Sequence, residues 1–439
     1  MKLRFWGTRG SIATPGPSTN RFGGNTSCVE LVTNAGQHFI FDCGTGARLL
    51  GMHMMEHAPK PIHAIILISH THWDHIQGFP FFAPVFVSGG RITVCGPNGT
   101  SSTLLETLSG QMEYTYFPVK LGELGATIEY KELPEGANEL EGVRIVTQHL
   151  NHPAATLGYR IEADGVSVMY VCDHEPYWES LWRSDAAPGV LSSILHAGDR
   201  RHADFLLHAD VVIHDAQYTP AEYPAKKNWG HSTYRYATEI AAAAKVKRLI
   251  LTHHDPTHDD EFLGKVESQA RAIARAAGSP MQVSCAYEGY EETFEGDGSG
   301  RADHFSATGT FAGLRPRRIL IADDDEDLRL LARKTLTRSW NEILEAGGGK
   351  EAMHMIQSQK LDLVVLDLLM PAPNGFEVIR WMRGDAQTCK IPVLVLTAQG
   401  DEDSIRTCFE IGATDYLVKP FTAPQLDVRV RSILERANP

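Results

Sequence analysis

The chain has 439 residues, 43% of them hydrophobic and 22% charged, and a formal net charge of −13. This length exceeds one ordinary core and implies two or three domains, and the composition is that of a globular rather than a disordered or fibrous protein. Residues 1–312 hold 24 Lys and Arg against 35 Asp and Glu, and residues 313–439 hold 17 against 19, a balance that disfavours a long nucleic acid as ligand. No apolar run approaches the ~18 residues of a membrane span, so no membrane contact is expected. Met1–Gly7 lacks the apolar region of a secretory signal, which makes the cytoplasm the expected location. The seven cysteines are scattered without a Cys-x-x-Cys pair, which argues against a disulfide framework or a thiolate zinc site.

Residues 3–5 and 28–32 read as strands. Between them, Gly7-Thr8-Arg9-Gly10-Ser11 and Gly23-Gly24-Asn25-Thr26 form a glycine-rich loop that can bring backbone close to a ligand. Gln37–Asp42 is a further strand. Its last residue, Asp42, is a candidate acceptor for the outward N–H of a metal-held imidazole. The apolar, β-branched run Ile65–Ile68 is a buried strand, and it delivers Ser69-His70-Thr71-His72-Trp73-Asp74-His75. Alternation along an extended segment would place His70, His72 and Asp74 on one side, with His75 joining from a turn. Imidazole is largely unprotonated at neutral pH and suits Zn²⁺. Burying these four groups without a cation would be costly. Gly78–Phe86, with four Phe, reads as core filling in preference to a ring-binding wall.

The spacing His-x-His-x-Asp-His resembles the metal motif of the metallo-β-lactamase superfamily. That resemblance implies a further His, an Asp and a last His, each after an apolar run. Val143–Val146 runs into His149-Leu150-Asn151-His152-Pro153. His152 stands six residues before Gly158, the placement in ribonuclease Z-like members, with His149 as the alternative. Val166–Val171 ends in Cys172-Asp173, where the superfamily places a carboxylate that bridges two metals; each of its oxygens can face a separate cation. Val211–Asp215 is another strand. Gly230-His231-Ser232-Thr233 opens a helix to about Ala244, with Ser232 or Thr233 as N-cap. Arg248–Thr252 delivers His253, with His254 as the alternative if the register slips by one.

The resemblance covers residues 1–295 and implies an αββα sandwich. It implies two Zn ions, with Mn or Fe as substitutes: His70, His72 and His152 on one, Asp74, His75 and His253 on the other, and Asp173 between them. Water held by the pair would lose a proton near neutral pH and attack phosphorus, with Asp74 orienting it or taking its proton. Gly230-His231-Ser232 resembles the ribonuclease Z signature, whose His protonates the leaving oxygen. Residues 296–315, beginning Gly296-Asp297-Gly298-Ser299-Gly300, read as a linker.

From residue 316 to 439 strands alternate with helical stretches, which indicates a doubly wound α/β domain with its site at the strand C-termini. Arg318–Ala322 ends in Asp323-Asp324-Asp325, Leu363–Leu366 in Asp367, Val393–Leu396 in Thr397, and Asp415–Val418 in Lys419. This resembles a response-regulator receiver domain. The resemblance implies Asp323, Asp324 and Asp367 around Mg²⁺ and Asp367 as phosphoacceptor. It also implies Thr397 and Tyr416 as switch residues and Lys419 on the phosphoryl group. Asn374 stands before Gly375 where many receivers have Asp, a departure that bears on the loop.

The combined expectation is a dinuclear-metal phosphodiesterase, acting on a small diester such as a cyclic nucleotide rather than tRNA. A sensor histidine kinase would phosphorylate its receiver and so regulate it, through dimerisation or docking. No DNA-binding module is expected after the receiver. The competing expectations are a thioester, lactone or amide hydrolase using the same metals, and a phosphorylation-controlled binding protein with the metal domain as scaffold. A di-iron oxygen-reducing relative is disfavoured because His72 stands where those proteins place Glu.

Overall fold

The computed structural model describes residues 1–97, 103–177, 180–182, 189–296, 317–337, 341–397, 411–421, 425–426, 429–430 and 433–434. The chain divides into two compact units, Met1–Gly309 and Thr310–Pro439. The expected linker, 296–315, lies outside the described residues from 297 onward.

In chain order the strands of the first unit are β1 (Lys2–Gly7), β2 (Cys28–Val32), β3 (His38–Phe41), β4 (His63–Leu67), β5 (Arg91–Pro97), β6 (Thr127–Leu133), β7 (Gly136–Leu140), β8 (Val143–His149), β9 (Leu157–Ala163), β10 (Val166–Val171), β11 (Val211–Asp215), β12 (Arg248–Thr252), β13 (Gln282–Cys285) and β14 (Glu291–Thr293). Its helices are α1 (Ala47–His57), α2 (Trp73–Ile76), α3 (Leu104–Gln111), α4 (Ala197–Leu206), α5 (Tyr234–Ala243) and α6 (Asp260–Ala276). Two seven-stranded sheets form, ordered β14-β1-β2-β3-β4-β5-β6 and β13-β12-β11-β10-β9-β8-β7.

The burial pattern explains why these segments pair as they do. In β10 all six residues are buried, because both faces of the strand are covered. Val166, Val168 and Tyr170 join the layer between the sheets, with Leu3, Phe5, Phe41, Leu67, Tyr159 and Ile250. Met169 and Val171 face the other way, into a layer with Ala237, Ile240 and Leu263 from α5 and α6. A third layer packs Leu50 and Met54 of α1 and Leu108 of α3 against Ile66 and Val94. The result is a helix–sheet–sheet–helix sandwich, as the resemblance implied. Each large apolar side chain buried here contributes about 1.5–3 kcal/mol. The Phe-rich turn splits its residues: Phe79 and Phe82 are fully buried, whereas Phe81 and Phe86 are exposed.

Strands β10, β11, β12 and β13 run parallel, as do β3, β4 and β5. Parallel neighbours present their C-terminal ends at one edge, and that edge is where Asp42, His70, Asp173, Asp215 and His253 fall. Backbone there is bent sharply: Asp42, Asp173 and His253 have left-handed φ values of 57°, 59° and 60°, and Ser11 has 62°. Non-glycine residues in that region carry strain that tends to gather at functional sites.

In the second unit five parallel strands are ordered β16-β15-β17-β18-β19: β15 (Arg317–Ala322), β16 (Asn341–Ala346), β17 (Leu363–Asp367), β18 (Val393–Thr397) and β19 (Asp415–Val418). The helices α7 (Glu326–Thr337), α8 (Gly349–Ser358) and α9 (Gly375–Gly384) belong with them among the described residues. Asn374 caps α9 by accepting from Glu377 N, in a reciprocal capping box. Asn thus serves as N-cap where many receivers have Asp. Gly375 is needed for space, since a Cβ there would sit 2.2 Å from the Asp367 carbonyl oxygen.

Candidate metal centre

The segment after β4 does not stay extended. His72 is the N-cap of the short helix α2, and Asp74 and His75 lie on its single turn. The alternation expected for His70, His72 and Asp74 therefore fails at Asp74. The turn instead divides the segment, with His70 and His72 toward His152, and Asp74 and His75 toward His253.

His152 Nε2 lies 3.2 Å from His72 Nδ1 and 3.8 Å from Asp173 Oδ2, while His70 Nε2 is 3.4 Å from the same Oδ2. On the other side, His253 Nε2 is 3.1 Å from Asp74 Oδ2, 3.3 Å from His75 Nε2 and 3.2 Å from Asp173 Oδ1. His75 Nε2 is 3.3 Å from both Asp74 Oδ2 and Asp173 Oδ1. The two oxygens of Asp173 thus face two different groups of side chains. His254 points away, with its Nε2 3.0 Å from the Ala286 carbonyl, and His149 is the last residue of β8, outside both groups. The Cys172 thiol also reaches the second group, but burial pushes its pKa well up, which keeps it a poor ligand as a thiol.

The partners of the other ring nitrogens fix which nitrogen faces inward. Asp42 Oδ2 accepts from His75 Nδ1 at 2.7 Å, from Tyr170 Oη at 2.7 Å and from Ser69 Oγ at 2.9 Å. Ser69 Oγ, having given its proton to Asp42, accepts from His70 Nδ1 at 3.1 Å. Gly230 O accepts from His152 Nδ1 at 3.0 Å. Each of these rings therefore turns Nε2 toward the centre. Sequence reading anticipated Asp42; it missed Ser69 and Tyr170, whose side chains gain meaning only once β3, β4 and β10 are brought together.

Charge within the site follows the same logic. Burial pushes His152 down to about 4 and, with His75, pushes His70 well below the usual imidazole range. Burial opposes a charge on His75 too, but Asp74, Asp173 and Asp42 outweigh it and raise its pKa well above normal. The His70 and His152 rings are thus kept neutral with free lone pairs, while the carboxylates around His75 attract positive charge. His70 Nε2 and Asp173 Oδ1 are buried with no hydrogen-bond partner. Converging nitrogen and carboxylate donors, unpaired by protein, fit a pair of divalent cations.

The remaining members flank this centre. His231 Nδ1 is 3.0 Å from Asp215 Oδ2 and its ring stacks on His253 at 4.9 Å between centroids. It follows the left-handed Gly230 and precedes α5, whose N-cap Thr233 accepts from Tyr236 N. Burial opposes protonation of His231, yet Asp215 and Asp173 overcome it and lift its pKa to about 9. Asp215 was read from sequence only as a strand end; its C-terminal position on β11 was the available signal. Asp74 Oδ2 accepts from Ser11 N at 2.7 Å. The open side of the centre is marked by exposed His72, and Trp73 and Trp229 nearby in sequence are 73% and 57% exposed.

In the second unit Asp323 and Asp367 are buried and Asp324 is exposed, and one carboxylate oxygen from each lies within 4.8 Å of the others. Lys419 Nζ is 2.8 Å from Asp323 Oδ2 and 3.2 Å from Asp367 Oδ2. Burial opposes the Lys419 charge, but Asp323 and Asp367 outweigh it and raise its pKa. Thr397 ends β18 beside them, and Tyr416 lies half-buried on β19, paired with Val395.

Residues 37–254 match the family model for the beta-lactamase superfamily domain, and residues 319–431 that for the response regulator receiver domain. Over 123 residues the chain is 37% identical to the phosphate regulon transcriptional regulatory protein PhoB of Pseudomonas aeruginosa, covering 28% of this chain and 54% of that protein. The chain thus spans about half the length of the first curated relatives it matches. Over 307 residues it is 28% identical to ribonuclease Z of Exiguobacterium sibiricum, covering 62% of this chain and 94% of that protein. A solved diphosphatase of the PhnP family is 19% identical, with a TM-score of 0.46, over 67% of this chain and 98% of its own. No helix among the described residues is long and apolar enough to cross a membrane. Residues 37–254 therefore belong to the beta-lactamase superfamily, and residues 319–431, on the same chain, to the response regulator receiver family.

Proposed function

We propose that the first unit is a dinuclear-metal hydrolase of phosphodiesters and that phosphorylation of Asp367 regulates it. The observation that carries the reading is Asp173, whose two oxygens face separate sets of imidazoles at 3.2–3.4 Å. His70, His72 and His152 would hold one cation, Asp74, His75 and His253 the other, with Asp173 shared; Zn²⁺ suits this donor set, and Mn or Fe could replace it. When bound, such a pair supplies Lewis acidity and acidifies water to near neutrality.

The protein's own side chains divide the proton work. Asp74 Oδ2 accepts from Ser11 N and faces the two imidazoles, which leaves Oδ1 to orient an attacking water or take its proton. Burial resists ionisation of Asp74, but His75 and His253 hold it well below the usual carboxylate range, so it stays ionised and able to accept a hydrogen bond from that water. Asp215 accepts from His231 Nδ1, which leaves Nε2 to carry a proton to the leaving oxygen. Support for a phosphodiester also comes from the relative named ribonuclease Z. The acidic balance of residues 1–312 and the exposed Trp73 and Trp229 favour a small ring-bearing diester, such as a cyclic nucleotide, over tRNA.

The receiver would take its phosphoryl group from a sensor histidine kinase, with Mg²⁺ held by Asp323, Asp324 and Asp367. Lys419 would offset charge on the aspartyl phosphate, and Thr397 and Tyr416 would report it. The deciding experiment is a panel of bis-p-nitrophenyl phosphate, cyclic nucleotides, a thioester and a lactone, run with metal analysis on the purified chain. Turnover of diesters with about two metals per chain is expected. A fully loaded chain that cleaves only the thioester or lactone would overturn the phosphodiester assignment.

A further inference from the structure

Glu175 is buried two residues after Asp173, and nothing in the proposed chemistry uses it. Its side chain nevertheless gathers three donors from one loop. Oε1 accepts from Tyr223 Oη and from Asn228 N, each at 2.8 Å, and Oε2 accepts from Gly230 N at 2.9 Å. Its main chain is tied to a different segment: Glu175 N donates to Asn151 O at 2.8 Å, and Asn151 Nδ2 donates back to Glu175 O at 2.8 Å. One residue therefore joins the chain beside Asp173, the chain beside His152 and the loop leading into His231.

Gly230 is the link that gives this junction chemical content. Its N–H is held by Glu175 and its carbonyl accepts from His152 Nδ1 at 3.0 Å. Its φ of +88° is in the left-handed region, and a Cβ there would lie 2.1 Å from His152 Nδ1. The peptide thus packs directly on the His152 ring. A neutral imidazole can present either nitrogen; an acceptor fixed at Nδ1 leaves Nε2 as the lone pair facing His72 and Asp173.

We propose that Glu175 is a positioning residue: it clamps the Gly230 peptide so that His152 is held in one tautomer and orientation toward the first cation. This rests on the reading of His152 as a metal ligand. The same clamp sets the start of His231, the residue after Gly230, so that ligand and proton donor are registered through a single peptide. Because the effect passes through His152, it is selective: the cation held by His70, His72 and His152 depends on Glu175, and the one held by Asp74, His75 and His253 does not.

The test uses the full chain with Zn²⁺ and Co²⁺ as probes, measuring stepwise affinity by chelator competition and the visible Co²⁺ spectrum. Glu175→Gln keeps the shape but sets an amide NH2 against one of the backbone N–H donors. Glu175→Asp keeps the charge and shortens the reach, and it serves if the first variant folds poorly. Each is expected to weaken one metal equivalent by about 10–100-fold, leave the other unchanged, and alter the Co²⁺ bands of the weakened site alone. Gly230→Ala should weaken the same equivalent, and combining it with Glu175→Gln should cost less than the two losses together. Equal weakening of both equivalents would mean general loosening and would overturn the proposal, as would affinities and spectra like the parent's. Should the parent chain itself bind no divalent ion, the metal reading falls and the clamp with it.

Discussion

Replacing Asp173 by Asn tests the central geometry most directly. In the parent chain Asp173 Oδ1 lies 3.3 Å from His75 Nε2 and 3.2 Å from His253 Nε2, and Oδ2 lies 3.4 Å from His70 Nε2. An amide keeps the shape but offers one acceptor oxygen and an NH2 group. Asp173→Asn therefore cannot face two cations, whereas its N–H groups can satisfy imidazole lone pairs that the carboxylate cannot. Metal content should fall from about two per chain to one or none, while the metal-free protein loses little stability. Linkage sets the size of the effect: each occupied site adds RT ln(1 + [L]/Kd), which is roughly 1.4 kcal/mol per tenfold of free metal well above Kd. The parent's first unit should gain about 2.8 kcal/mol per decade, and the variant about half that or less. Denaturant unfolding in metal buffers, with metal content measured in parallel, reads the slope. A variant that keeps both metals and the parent's slope would refute the shared-carboxylate geometry.

His231→Ala should lower kcat by about 10²–10⁴ for a diester with a poor leaving group, and much less for bis-p-nitrophenyl phosphate, whose leaving group needs no proton; metal content should not change, and steady-state kinetics on the two substrates checks it. Tyr170→Phe removes a donor to a buried carboxylate at 2.7 Å and should destabilise the first unit by about 1.5–3 kcal/mol, read by calorimetry with metal held constant. Metal affinity should rise with pH above neutrality, because the proton that Asp74, Asp173 and Asp42 hold on His75 well above the usual imidazole range must leave for a cation to bind, whereas His152, held down at about 4, costs nothing until the acid range; chelator competition at pH 8 and pH 5.5 gives the sign. Asp367→Asn should abolish labelling by acetyl phosphate, and beryllofluoride should change diesterase turnover in the parent chain but not in that variant; equal turnover with and without the mimic in the parent would exclude phosphorylation control of the hydrolase.

Strand β5 (Arg91–Pro97) and the edge strands β6 and β7 of the two sheets went unread in sequence. β6 and β7 lie at sheet edges with mixed polar and apolar faces, where the hydrophobic signal is weakest, whereas β5 is buried beyond its first residue. The central strands were legible because both faces are buried, and a doubly covered strand is apolar at nearly every position, as β10 is apart from Ser167. The doubly wound second unit followed from those runs and their order, whereas the sandwich followed from the resemblance carried by the histidine motif.

Local sequence determined which residue types were available: His70, His72, Asp74 and His75 in one segment, and His152, Asp173, Asp215 and His253 at or just after the ends of β8, β10, β11 and β12. It did not determine how they were shared. The resemblance already grouped Asp74 with His253 and preferred His253 to His254; the structure supplies the reasons, the turn of α2 that carries Asp74 toward His253 and the left-handed backbone that turns His253, not His254, inward. The hydrogen bonds that orient the rings were beyond reach of the sequence for a related reason. Asp42 with Tyr170, Gly230 with His152, and Asp215 with His231 are 128, 78 and 16 residues apart, and no local pattern couples positions that meet only once the strands leading to them have assembled.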